Sequence, residues 1–426
     1  MEKKPEDGQS PTNFMKFLNS SFGRFLLIGL ITLLLLAPLS SVMALIRERK
    51  NRAEETRNEI RHEWGNDFRH KGLVLRIPVK SKKEKKYIFF FPEHEKTNFN
   101  VTTSTKKRGI YQFPVFRSAN HTSARFTPDL TKPELDLSKV QIGLLCPAQT
   151  RISDIGKIEI NEKGFEIEQE IMAEDTPDKL FYATAPFTID PSTTQINVNL
   201  NYTVNGSGKI ILSGFAKKST FNMVSNWTNP SFSGNTLPNP DSFELGKGFK
   251  SDWTMMNMTQ NPQTGSAQSK PYGSVPQASI DFPQTIDHYQ LNERSVKYAI
   301  LVILLTFTVF YLIELVGKQA LHPIHYLLVG FSLILFYLIL LSFSEQFGFA
   351  RSYLTAGSGI VLLLGWYSYS VLKSGKFTAT IVGAISVLYS FLYVMVNLET
   401  YALIVGSMGL FLVLAAIMSF TRRLKV

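Results

Sequence analysis

The chain is poor in the residues that carry most protein chemistry. Only one of its 426 residues is cysteine, Cys146, so no disulfide can form within it. A folded part outside a membrane must then hold by its core alone. The same count excludes a Cys-x-x-Cys pair. Seven histidines, His62, His70, His94, His121, His288, His322 and His325, are scattered along the sequence. His62-Glu63 and His94-Glu95 each lack the second histidine of a zinc helix. Isolated histidines of this kind are expected at the surface. No Gly-x-Ser-x-Gly nucleophile elbow occurs. Asn205-Gly206-Ser207-Gly208-Lys209 has the look of a phosphate loop, but it lacks the upstream glycine, and Ile210 stands where Ser or Thr would meet Mg²⁺. A turn is expected there instead. No catalytic residue, metal site or cofactor follows from these patterns.

What is plentiful is apolar sequence. Six long runs are arranged one and then five, at residues 25–45, 297–317, 323–343, 351–372, 378–397 and 402–420. A helix of about 20 residues spans a hydrocarbon layer of about 30 Å. The expected fold class is therefore a membrane protein of α and β parts. One N-terminal transmembrane helix precedes a large β-rich domain, and a C-terminal five-helix bundle follows it. Residues 1–24 and 421–426 form tails, residues 46–64 a helical stalk, and residues 65–290 the β-rich domain. The first run exceeds the apolar length of a secretory signal, about 7–15 residues, and Ser40 to Ala44 is a poor cleavage match, so an uncleaved anchor is expected. Pro38 should kink that helix or break it locally.

The net charge of +11 is spread throughout the chain. In a membrane protein such a surplus reads as topogenic flanks and attraction to anionic lipid, with no nucleic-acid partner. Lys318, Lys373, Lys376, Arg422, Arg423 and Lys425 lie at alternate ends of the last five runs. The positive-inside rule then places both termini in the cytoplasm and the large domain outside. Arg47, Arg49, Lys50 and Arg52, just after the first run, argue the other way and are outvoted.

After the first run, Ile46, Ala53, Ile60 and Trp64 make a thin apolar stripe at helical spacing. It reads either as a stalk packed on its neighbours or as a self-associating coil that would make a homo-oligomer. Beyond Gly65 the pattern turns to β. Leu73 to Ile77 and Tyr87 to Phe91 are short apolar runs that stop at Pro78 and Pro92, joined by a charged hairpin over residues 80–86. Lys157 to Asn161 and Phe165 to Glu168 alternate and predict a hairpin. Ile196 to Tyr202 alternates too, with Asn205-Gly206 as a hairpin turn into Ile210 to Leu212. Many short strands with polar turns point to a sandwich or barrel. Residues 226–283 are rich in Pro, Gly, Ser and Asn and read as long loops with few strands.

Two groups of polar residues stand out in the bundle. Glu314, Lys318, His322 and His325 gather at one end of the second and third runs, and Glu345, Arg351 and Glu399 at the other. Charged groups at membrane depth are costly and often functional, but helix-end anchors are the plainer reading. The small residues Gly357, Gly359, Gly383, Gly406 and Gly409 favour close helix packing. In the β-rich part, Tyr111, Trp227, Pro230, Phe232 and Trp253 form a candidate aromatic binding loop, the alternative being that they pack the domain's own core.

The segment Leu321-His322-Pro323-Ile324-His325-Tyr326-Leu327-Leu328-Val329-Gly330, running on to Ser342-Phe343-Ser344-Glu345, resembles the signature helix of the CreD family of bacterial inner membrane, cell envelope integrity proteins. Gly72 to Val79, Lys107 to Phe116, Asn226 to Gly234, Gly248 to Trp253, and Asp287 to Tyr298 resemble that family in order. His325 and Asn229 depart from its pattern, which would have glutamine and histidine there. The resemblance implies a bacterial inner membrane protein with a periplasmic domain, linked to envelope stress, colicin tolerance and the β-lactam response. It carries no catalytic residues across. The leading expectation is a non-enzymatic envelope-integrity protein whose partners are the lipid bilayer and an envelope protein, lipid or glycan. The alternative is a transporter or lipid-handling protein working through the bundle, and an enzyme acting on envelope polymers comes third.

Overall fold

The computed structural model describes residues 21–80, 86–131, 133–172, 178–183, 189–190, 192–257, 263–266, 275–282, 288–317, 321–398 and 401–422. The chain divides into two compact units, one from 1–53 and 287–426, the other Glu54–Ile286.

The first unit is helical. Helix α1 (Ser21–Trp64) has 44 residues, about 66 Å of helix, and runs through Pro38 without interruption. Its later residues belong to the second unit. Then come α2 (His288–Lys297), α3 (Ala299–Gly317), α4 (Pro323–Phe347), α5 (Phe349–Leu372), α6 (Gly375–Asn397) and α7 (Ala402–Thr421). Among the described residues, six helices (α1 and α3 to α7) are long and apolar enough to cross a membrane. Ile28, Leu35, Leu39, Val42 and Ile46 form the buried stripe of α1, while Phe25, Leu26, Leu30, Leu33 and Leu34 are exposed. An outward face this greasy is soluble only in lipid. Gly330 of α4 lets α1 come close, because a Cβ there would lie 2.2 Å from Leu35 Cδ1. The short α2 was not foreseen as a separate helix. It buries Tyr289, Leu291, Asn292, Ser295 and Val296 on one face.

Among the described residues, the second unit is built on three sheets of four, six and nine strands. Leu73–Pro78 and Lys86–Phe90 pair antiparallel as expected, with Leu75 opposite Phe90; residues 81–85 of the expected charged hairpin lie outside the described residues. The expected hairpin after Lys157 is shorter than the alternation suggests. Ile158–Ile160 pairs with Lys163–Phe165 around Asn161 and Glu162, both at positive φ. Ile167–Met172 leaves for the six-stranded sheet, where it pairs with Asp178–Ala183. Nor is Asn205-Gly206 a hairpin turn. Ile196–Gly206 belongs to the nine-stranded sheet and Lys209–Ser213 to the four-stranded one, so the segment carries the chain between sheets. Gly208 at φ +96 and Ser207, whose Oγ donates to Gly65 O at 2.8 Å, fix the crossing.

The long hairpin His94–Arg108 and Tyr111–Phe126 is the centre of the nine-stranded sheet. Lys218–Ser225 runs parallel beside its first arm, and Ile196–Gly206 antiparallel beside its second. Inward residues of these strands, among them Phe99, Phe116, Phe126, Val198, Leu200 and Phe221, with Trp253 of the adjoining strand Phe249–Met256, join Leu73, Leu75 and Ile77 in one core cluster. The alternation of Ile196 to Tyr202 therefore reads correctly as one buried and one open face.

Candidate functional site

The first polar site lies where α1, α3 and α4 meet. Glu314 near the end of α3 has a side chain only 3% exposed, and it forms a short ion pair with Arg24 of α1. The hydroxyl of Tyr326 on α4 donates to the other carboxylate oxygen at 2.8 Å. Edge-on contacts of the Tyr326 ring with Phe307 and Phe310 hold that hydroxyl in place. A buried carboxylate needs both a countercharge and further donors, and here it has them. Glu314 is thus a buried residue rather than an exposed helix-end anchor, and among the described residues its partners are Arg24 and Tyr326. Lys318 lies outside the described residues. His322 is exposed and caps α4, its Nδ1 accepting from Ile324 N at 3.4 Å. His325 turns to α5 and meets the Tyr367 hydroxyl through Nδ1 at 2.7 Å. Among the described residues, Glu314, His322 and His325 therefore do not share one hydrogen-bonded cluster. Arg24 and Tyr326 were the missing members; an arginine at the edge of the first apolar run was the signal available.

The opposite end of the bundle is tied by α2. Tyr289 donates its hydroxyl to Glu345 Oε1 at 3.0 Å, and Asn292 Nδ2 donates to Ser344 Oγ at 2.7 Å. Glu293 faces Arg47 Nε at 3.8 Å and Lys50 Nζ at 3.9 Å. Arg52 pairs with Glu48 at 2.6 Å. Arg47, Lys50 and Arg52, three of the four cations that follow the first apolar run, thus have carboxylate partners. Arg351 is exposed at the start of α5, and Glu399 lies outside the described residues.

In the β-rich unit the aromatic candidates are core or half-core residues. Trp253 is fully buried on Phe249–Met256, so its expected exposure is corrected: inward positions of that strand alternate, and 253 is one of them. Phe232 is half-buried, edge-on to Phe243, Phe249 and Trp253 at 5.3, 5.8 and 5.8 Å. Trp227 is half-buried against Phe282, and its indole N–H donates to Asn229 O at 2.9 Å. Pro230 is half-buried beside it. Asn226 clamps this loop from below: Oδ1 accepts from Thr103 N and Oγ1 at 2.7 and 2.8 Å, and Nδ2 returns a bond to Thr103 O at 3.1 Å. Tyr111 belongs to another group, packing with Trp64 on the cluster of Ile60, Phe113 and Val115. That cluster takes up the lower half of the apolar stripe of α1, and Ile46 is buried in the helical unit. Three of the four stripe residues, Ile46, Ile60 and Trp64, thus pack within the chain.

A polar network was missed altogether. His70, expected at the surface, is 1% exposed. Its Nε2 faces Glu95 Oε1 and its Nδ1 the Tyr202 hydroxyl, both at 2.9 Å, and Thr97 bridges to Thr122 at 3.1 Å. Phe99 and Phe221 box the imidazole edge-on at 5.3 and 5.5 Å. Burial pushes the Tyr202 phenol well above its usual range, and the Glu95 carboxylate adds to this against the opposing Thr122 hydrogen bond. Chemically this is a saturated buried network rather than an open acid–base pair. Among the described residues, no group of three or more His, Cys, Asp or Glu is placed to hold a metal.

The family model described as inner membrane protein CreD matches residues 20–426. The inner membrane protein CreD of Escherichia coli (strain K12) is 28% identical over 410 residues, covering 92% of this chain and 90% of its own length. Among solved structures, a putative protease from Parabacteroides distasonis aligns at 9% identity and TM-score 0.22, over 68% of this chain and 59% of its own. Native yeast LTA4 hydrolase aligns at 11% identity and TM-score 0.23, over 66% and 52%. The chain thus spans little more than half the length of either, and neither likeness carries an argument. With a match over nearly its whole length, the chain belongs to the CreD family of inner membrane proteins.

Proposed function

We propose that this chain is a non-enzymatic protein that supports the integrity of the cell envelope, with its β-rich unit in the periplasm binding an envelope component and both termini in the cytoplasm. The observation that carries this reading is the state of its buried polar groups. Arg24, Glu314 and Tyr326, and separately His70, Glu95 and Tyr202, satisfy one another inside packed surroundings. Groups arranged in this way hold helices and sheets in place; a catalytic acid or base needs an open side toward its substrate. The six candidate spans among the described residues, an even number, support both termini lying on one side, and Lys373, Lys376 and Arg422 at alternate helix ends support that side being the cytoplasm. Membership of the CreD family is consistent with the envelope role.

The test is complementation in cells that lack their own copy. The full chain restores the barrier to detergent and to a dye excluded by intact envelopes. Crosslinking from introduced photoreactive residues on the β-rich unit captures an envelope component. A chain that restores the barrier while crosslinking only to cytoplasmic proteins overturns the reading.

One observation favours a second reading, lipid handling through the bundle. A cleft of about 880 Å³ between α5 and α6 is lined by Tyr353, Tyr389, Tyr393, Ser358 and Ser386, with Arg351 at one end. Such a cleft suits an acyl chain with a headgroup phosphate at the arginine. Full complementation by both Arg351→Ala and Ser386→Leu removes this reading.

A further inference from the structure

The outward face of the nine-stranded sheet is basic and rich in asparagine. We propose that this face, centred on Lys96, Arg125 and Lys218, binds an acidic polysaccharide strand. The inference rests on the binding role proposed for the β-rich unit and names its site and ligand class.

The strand register places Lys218, His94, Arg125 and Asn197 side by side on four adjacent strands. Lys96 and Asn199 stand in the next row. Like charges set opposite one another weaken a sheet, so folding alone does not favour this row. Lys96, Arg125 and Lys218 are all exposed, and none has a carboxylate partner among the described residues. The carboxylate nearest in sequence, Glu95, turns through the sheet to His70. The result is a hollow of about 420 Å³ whose lining holds Lys96, Arg125 and Lys218, with the carboxylates Glu93, paired with Lys217, and Glu159, opposite Asn199, at its margins, so positive charge is in excess along its floor. Such a field concentrates an anionic ligand.

The neighbouring positions decide which anion. Asn98, Asn197, Asn199 and Asn201 all lie on the outward face, alternating with buried residues. Oδ1 of Asn201 is taken by His121 and that of Asn197 by Gln195, which leaves their amide N–H groups as donors, while Asn98 and Asn199 carry both donors and an acceptor; along a strand these side chains recur every second residue, about 6.8 Å apart. An array of paired donors and acceptors matches a chain of hydroxyl and amide groups punctuated by carboxylates. The hollow's lining includes no aromatic ring other than His94, so it has no platform for base stacking.

The full chain in lipid nanodiscs is titrated with oligogalacturonate, with neutral cello-oligosaccharide and poly-glutamate as controls. Oligogalacturonate binds, more weakly as salt rises from roughly 50 to 300 mM. Lys96→Ala/Arg125→Ala/Lys218→Ala lowers affinity at least roughly tenfold. Asn98→Ala/Asn199→Ala weakens oligogalacturonate binding while the unfolding temperature stays unchanged. Lys96→Gln alone, a conservative exposed change, gives a smaller loss in the same direction. The inference is overturned by no binding, by equal binding to the triple variant, by poly-glutamate binding as well as the sugar, or by binding only to discs of anionic lipid. Barrier rescue by an unmodified chain that binds no oligogalacturonate removes this inference and leaves the proposed envelope role standing.

Discussion

Arg24 and Glu314 lie 290 positions apart in the chain and form an ion pair that fastens the lone first helix to the C-terminal bundle. Glu314 is almost fully buried and Arg24 about a quarter exposed. Breaking such a pair leaves a bare charge in a low-dielectric site, which costs more than the pair itself contributes.

The first prediction is a double-mutant cycle. Arg24→Leu alone should destabilise the protein by about 3–5 kcal/mol, because the Glu314 carboxylate is left with only the Tyr326 hydroxyl. Arg24→Leu combined with Glu314→Leu should recover most of that loss. Thermal unfolding in detergent, read on the helical signal, measures these two variants and Glu314→Leu alone. Additive losses would show that the two residues do not act as a pair.

The second prediction concerns the buried network of the β-rich unit. Tyr202→Phe removes one partner of His70 and should cost about 1–3 kcal/mol. Gly72→Ala should cost at least as much. Gly72 sits at φ +86, and a Cβ there would lie 2.4 Å from Glu95 Oε2. Both are read from the unfolding transition of the strand signal, with Asn100→Ala, on the outward face, as a neutral control.

The third prediction separates the aromatic residues that the sequence grouped together. Trp253→Ala empties a fully buried site and should cost about 3–5 kcal/mol and lower the yield of folded protein. Trp227→Ala, half-buried against Phe282, should cost less and leave a folded chain. Expression and unfolding temperature distinguish them. Equal tolerance at both positions would contradict the core placement of Trp253.

How much could be read in advance follows from the range of each signal. The six apolar runs and the alternation of Ile196 to Tyr202 are local patterns, written in neighbouring residues, and they survive folding unchanged. Pairing across the chain is not local. Nothing near Glu314 points to Arg24, and nothing near His70 points to Tyr202, 132 positions away. Sheet exchange is hidden in the same way. Asn205-Gly206 and Phe165 to Glu168 look like hairpin segments, yet at each the chain changes sheet, because the choice of partner strand depends on the whole core. The aromatic loop misled for a related reason. Richness in Asn, Pro and Ser signals a loop, but whether Trp227 and Phe232 point outward depends on Phe282 and Trp253, contributed from elsewhere. The basic face needed the register of four strands before its residues became neighbours.

The last prediction uses the single cysteine. Burial pushes the Cys146 thiol up to about 12 from 9.0, so in the folded chain it is a poor nucleophile at neutral pH. Intact protein should resist maleimide, and Glu159→Cys, on the exposed side of its strand, should become the dominant labelling site. In whole cells a membrane-impermeant maleimide should reach Glu159→Cys and not Ser374→Cys, at the α5–α6 turn. The reverse pattern would invert the topology. The raised thiol also sets a pH dependence of known sign. Above pH 9 the unfolded chain loses the Cys146 proton and the folded chain keeps it, so the unfolded state binds fewer protons and stability falls as pH rises. The loss is absent well below that pH, sets in as pH nears 9, and between pH 9 and 10 amounts to about 1 kcal/mol. Cys146→Ala should flatten this slope, as measured by denaturant midpoints at pH 8, 9 and 10.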